Sequence, residues 1–88
     1  MPLPPKILLH DAVATRIREL TEEKGYSVDV LSSVSGVPKS TITDYLRGAS
    51  KDIKLSTVAK IANGFDMTVL DFFVDDRFDL IDIEELFR

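Results

Sequence analysis

Between two stretches of helical apolar spacing, residues 28–35 and 38–47, the chain leaves little more than Ser35-Gly36-Val37 as a connection. Helices joined so tightly cannot turn back antiparallel through a relaxed loop, so they must cross steeply. The four glycines, Gly25, Gly36, Gly48 and Gly64, each follow a stretch whose apolar residues recur at three and four rather than alternate. That spacing marks helices, and the glycines punctuate them.

Around this pair the remaining elements read as further short helices. Asp11 is placed to cap a first helix over 11–24, with Val13, Ile17 and Leu20 inward and Lys24-Gly25 as its stop. Ser27 is the expected N-cap of helix 2, whose buried side is Val30, Leu31 and Val34. Pro38 suits the first position of helix 3, where its missing N–H costs nothing. Leu55, Val58, Ala59, Ile61 and Ala62 define a fourth helix, and Asn63-Gly64 leaves its end open. Thr68-Val69-Leu70-Asp71 resembles a capping box opening a fifth, with Leu70, Phe73 and Val74 expected inward. Beyond it, Asp82 and Glu85 can cap a last turn, and Phe78-Asp79-Leu80 is equally readable as extended. The expectation is an all-α bundle of five short helices, with a sixth turn optional.

Composition excludes more than it identifies. Eighty-eight residues, 44% hydrophobic and 30% charged, suffice for one core and not for two. No cysteine means no disulfide and no thiolate metal site, and no run of 18 apolar residues offers a membrane span. Ile7 to Leu9 is too short for a secretory apolar core, so the cytoplasm is the expected compartment. No acid, base and nucleophile set appears, so an enzyme is not expected, and no cofactor is called for. His10, the single histidine, has no partner for a metal and reads as a surface residue. Asp75, Asp76, Asp79 and Asp82 lack the glycine and the bidentate Glu of a calcium loop.

The net charge of −4 argues by itself against a polyanion partner. Its distribution reverses that: residues 1–65 carry nine Lys/Arg against seven acids, residues 66–88 two against eight. Helix 3 sets Pro38, Ile42, Tyr45 and Leu46 on one side. On the other lie Ser40, Thr43, Asp44 and Arg47, at i, i+3, i+4 and i+7. This second face is wholly hydrogen-bonding. By pattern alone it is as readable as a solvated surface; behind a tight turn it fits the width of a DNA major groove.

The ordered set is similar to the XRE family, the lambda-repressor and Cro type of helix-turn-helix proteins, over residues 12–74. The resemblance rests on Ser27, Leu31 and Ser32, the turn Gly36-Val37, Ser40-Thr41-Ile42-Thr43 with Tyr45, then Gly48. Leu55, Val58, Ile61, Ala62, Phe65 and Val69-Leu70-Asp71-Phe72-Phe73 complete it. It implies a five-helix lambda-repressor-like domain, all-α, that binds double-stranded operator DNA, usually as a homodimer, with helix 3 in the major groove. Lys39, Ser40 and Asp44 fall where relatives read bases. Thr43 joins them on chemistry, able to touch a thymine methyl. Arg47, Lys51 and Lys54 fall where relatives meet phosphates, and the Ser27 end of helix 2 offers backbone N–H groups to an anion. The function implied is a sequence-specific transcriptional regulator, a repressor by occupancy. Three departures temper the match: Val28 stands where many relatives have Gln, Asp52 puts a negative charge in the phosphate-facing loop, and that loop is about one residue longer. Thr21 and Leu46 occupy slots where relatives pair Arg with Glu, and an apolar contact there is expected to serve as well.

The division expected is an N-terminal arm, 1–10, a DNA-binding domain, 11–74, and an acidic aromatic tail, 75–88. Arg16 and Arg18 read as solvent ion pairs with Glu19, Glu22 or Glu23. All five phenylalanines lie in the last 24 residues. They close the core, form a dimer surface, or dock a protein partner at the tail, the last being the alternative function: an interaction module on the same scaffold.

Overall fold

The computed structural model describes residues 6–88; the first five positions of the expected N-terminal arm lie outside the described residues. Five α-helices follow one another: α1 Leu9–Lys24, α2 Val28–Ser35, α3 Lys39–Leu46, α4 Leu55–Gly64 and α5 Val69–Phe72. Two 3₁₀ turns, Asp76–Leu80 and Ile83–Phe87, complete the chain. The all-α architecture matches the expectation, and among the described residues there is only an isolated parallel bridge, Ile7 with Ile81.

The core gathers one stripe from each helix. Val13, Ile17 and Leu20 of α1 meet Leu31 of α2, Ile42 and Tyr45 of α3, Val58, Ile61 and Ala62 of α4, then Phe65 and Phe72. Burial of Tyr45, with Asp52 and Asp11 nearby, pushes its phenol up to about 12, so the ring sits there as a neutral filler. Leu31 alone of the apolar residues expected inward on α2 is fully buried; Val30 and Val34 are exposed. Eight residues make only about two turns, so the stripe that packs inward is short and Leu31 fills it.

Several local expectations shift. Helix α1 begins at Leu9 without a side-chain cap, so Asp11 is a first-turn acid instead of its cap. Pro38 is the N-cap of α3, extended at ψ 139, and is exposed rather than packed beside Ile42. Helix α4 runs through Asn63 to Gly64. The Thr68 capping box forms with both reciprocal bonds. Inward of it, however, stands Phe72, while Leu70 is 74% exposed and Val74 is also exposed. A helix of four residues has too few turns for periodicity to define a face. Phe78-Asp79-Leu80 is a 3₁₀ turn, not extended chain, with the Asp75 carboxylate accepting from the Arg77 N–H at its start.

Three side chains expected on the surface of α1 are long-range fasteners. Arg16 donates to the carbonyls of Phe72 (2.8 Å) and Asp71 (3.1 Å) and holds its guanidinium over the Phe72 ring at 5.9 Å. This supplies a donor to the Phe72 carbonyl that ends α5 and a second one to the Asp71 carbonyl, which also accepts from the Val74 N–H. Arg18 donates to the Leu46 carbonyl and the His10 Nε2–H to the Tyr45 carbonyl at 2.7 Å, so α1 closes the last turn of α3 twice. His10 is therefore a half-buried cap, tilted against Tyr45 at 4.6 Å, and not a surface residue. The Thr21 hydroxyl donates to its own helix at Ile17, so the ties between α1 and α3 are those of Arg18 and His10. Arg77 bridges Glu19 at 2.6 Å and Asp75 at 2.8 Å, pinning the first 3₁₀ turn to α1. The Glu19 bond raises the Arg77 pKa further above its ordinary value.

Candidate nucleic-acid interface

The site is built outward from the turn. Gly36 takes φ 76°, the left-handed region a Cβ disfavours, and its N–H returns to the Ser32 carbonyl. The Ser32 hydroxyl donates to the Val37 carbonyl at 2.6 Å, and the Ser35 hydroxyl accepts from the Val37 N–H. Val37 itself is buried, a plug between the helices. These three bonds, all within residues 32–37, tie the end of α2 to the turn that leads into α3.

On α3 the structure brings Lys39, Ser40, Thr43, Asp44 and Arg47 to one accessible side, opposite the buried Ile42 and Tyr45. Three of these positions are already engaged, in two ion pairs. Lys39 Nζ lies 2.9 Å from Asp29 Oδ1 of α2, and Arg47 donates to Asp44 Oδ1 at 2.9 Å. Both pairs are exposed, so each is worth less than about 1 kcal/mol and yields readily to a competing anion.

The loop from 47 to 54 is ordered by its own bonds: Ser50 N–H to the Asp44 carbonyl and the Ser50 hydroxyl to Asp52. It separates the two lysines that the sequence groups together. Lys54, the N-cap of α4, lines a shallow groove of about 400 Å³ with Thr41, Asp44, Ser50 and Thr57. Lys51 faces a different hollow, beside His10 and Asp11. Ser27 is the N-cap expected, and its hydroxyl accepts from Val30 N–H at 3.1 Å. The anion-facing groups left at that end are backbone N–H groups. Ser27→Ala is expected to cost about 1 kcal/mol in urea unfolding; an unchanged midpoint would remove the cap from the account.

Sequence reasoning passed over Thr41, Ser50 and Thr57, neutral hydrogen-bonding residues around Asp44 and Lys54, and the restraint of Lys39 by Asp29. Thr41 is three residues from Asp44 and so shares its side of the helix, the one signal available. Among the described residues no group of three His, Cys, Asp or Glu side chains can hold a metal ion, and no helix is long and apolar enough to cross a membrane.

Two helices joined through residues 36–38, the second presenting an accessible, polar side, define a helix-turn-helix domain. The family model described as helix-turn-helix matches residues 17–72, and the chain belongs to that family, in its XRE type. Over 57 residues, 65% of this chain and 77% of the other, it is 32% identical to the SPbeta prophage-derived uncharacterized HTH-type transcriptional regulator YopS of Bacillus subtilis (strain 168). No solved structure matches the chain significantly. Membership makes DNA-binding regulation of transcription, not catalysis, its class of function.

Proposed function

We propose that this protein is a sequence-specific repressor that lays α3 in the major groove of operator DNA. The observation that carries the reading is the uncovered hydrogen-bonding side of α3, held at both ends by structural bonds: the Ser32–Val37 staple before it and the Arg18 and His10 caps after it. A helix so fixed can offer side chains to base edges without first paying to order itself. Lys39, Ser40, Thr43 and Asp44 read bases; Lys39 suits guanine O6 and N7, and Asp44 suits cytosine N4. Arg47, Lys51, Lys54 and the Ser27 end of α2 take phosphates. Residues 11–74 form the DNA-binding domain. Repression follows from occupying a promoter in the cytoplasm, with no cofactor.

A homodimer would set two half-sites about 34–36 Å apart. Leu70 in α5 and Val74 just after it are exposed apolar side chains that a second copy there would cover, which supports a dimer.

Selection from a random duplex library at low salt tests the reading. An enriched palindrome with steep salt dependence is the expected outcome. Lys39→Ala and Asp44→Ala are expected to change the preferred sequence. Lys51→Ala is expected to weaken every duplex alike and to lower the salt slope by about one. Equal losses on all sequences for all three variants would overturn the assignment of base-reading residues.

A further inference from the structure

A hollow of about 510 Å³ lies where the start of α1, the end of α3, the start of α4 and the last 3₁₀ turn converge. Its size falls within the range of ligand pockets, about 300–1,000 Å³. Leu8, Leu9, Leu55 and Leu86 line it, and all four are large apolar side chains left exposed, Leu55 at 66%. Ile83 and Phe87, on the same short turn as Leu86, are exposed as well, Phe87 at 83%. Neither the core nor the reading of α3 uses these residues.

The charges around the hollow say what can cover it. Three carboxylates, Asp11, Asp52 and Glu85, stand on it against one ammonium, Lys51. His10 is engaged, its Nε2 on the Tyr45 carbonyl and its Nδ1 facing Asp11. Glu84 adds a further exposed acid beside Glu85. A second copy meeting this surface across a two-fold axis would bring the same acids against themselves. The net negative charge makes the hollow a poor seat for nucleic acid, Lys51 being the one lining residue assigned to a phosphate. An apolar stripe flanked by cations matches both the leucines and the acids.

We propose that this hollow docks a basic amphipathic helix of a partner protein, its apolar side chains seated on Leu8, Leu9, Leu55 and Leu86 and its Lys or Arg residues against Asp11, Asp52 and Glu85. The surface is separate from the exposed side of α3, so docking is measured without DNA.

The test titrates the ¹⁵N-labelled full chain with a synthetic helical peptide of about 18 residues, Leu at i, i+3, i+4 and i+7 and Lys on both flanks. A twin with Glu for every Lys is the control. Saturable amide shifts confined to residues 8–13, 51–58 and 83–87 are expected, with the acidic twin at least about tenfold weaker. Leu55→Asp is expected to weaken the basic peptide at least about tenfold as well. It keeps the fold because position 55 opens α4, where a carboxylate is favourable. Leu86→Asp, at an exposed position in the last turn, is the second variant and is expected to act in the same direction. Equal binding of the two peptides, shifts centred on other residues, or indifference to both variants would overturn the proposal. So would concentration-dependent shifts at the same amides without peptide, which would assign the hollow to a second copy.

Discussion

Phe72→Ala is expected to lower the unfolding free energy by about 3–5 kcal/mol, a large share of the about 4–13 kcal/mol that 88 residues carry. The four-residue α5 has no stability of its own, since one turn does not repay helix nucleation. What holds it is the fully buried Phe72 ring. That ring meets Phe73 edge-on at 5.1 Å and Phe78 at 6.4 Å, while Arg16 lies over it and bonds the carbonyl of the same residue. Truncation leaves a cavity bordered by two other phenylalanines and removes the surface on which Arg16 rests. Urea unfolding should show a lower midpoint at unchanged slope, and thermal melting a Tm lower by more than about 12 °C. A loss below about 1.5 kcal/mol would mean that the C-terminal third is not fastened through this residue.

Gly64→Val is the second large effect, and it reaches the interface from behind. A Cβ at residue 64 would lie 3.1 Å from Val34 Cγ2, 3.2 Å from Ser35 Cβ and 3.3 Å from Ser35 Cα. Ser35 ends α2 and its hydroxyl accepts from Val37, so the atoms asked to give way belong to the turn that aims α3. Overpacking of this kind costs about 1–3 kcal/mol, and the branched side chain should fall at the upper end. Gly64→Ala is expected to be far milder. Its closer contacts are offset in part by about 1 kcal/mol of helix propensity. Melting curves check the stabilities, and amide shifts should spread from Gly64 through residues 34–47. A valine variant of native stability with those amides unmoved would show that the close approach of α2 to α4 does not set the turn. On the DNA-binding proposal, the same variant loses affinity for duplex before it unfolds.

The polar side of α3 was legible because Ser40, Thr43, Asp44 and Arg47 are related by spacing within one helix, and periodicity reports such relations directly. The state of that side was not. Asp29 lies ten residues before Lys39, and nothing in their separation announces a 2.9 Å ion pair across a turn. Lys51 and Lys54 look like one phosphate-facing set, and the path of the loop turns them to different hollows.

The same division runs through the fold. By itself the sequence determined the features whose causes lie within a few residues: the Ser27 cap, the Gly36 turn, the Thr68–Asp71 capping box, and the all-α class that short connections and helical spacing impose. Only the tertiary structure decided what Arg16, Arg18 and His10 do. Each had acids within reach along the chain and reads there as a surface charge or a lone imidazole. Each bonds a backbone carbonyl 28 to 56 residues away at the end of a helix, and His10 keeps Asp11 at its other ring nitrogen as well. Every residue has a carbonyl, so such a partner leaves no mark in the sequence. Which carbonyls are left without a helical donor, and which side chain lies near enough to supply one, is settled when the helices pack.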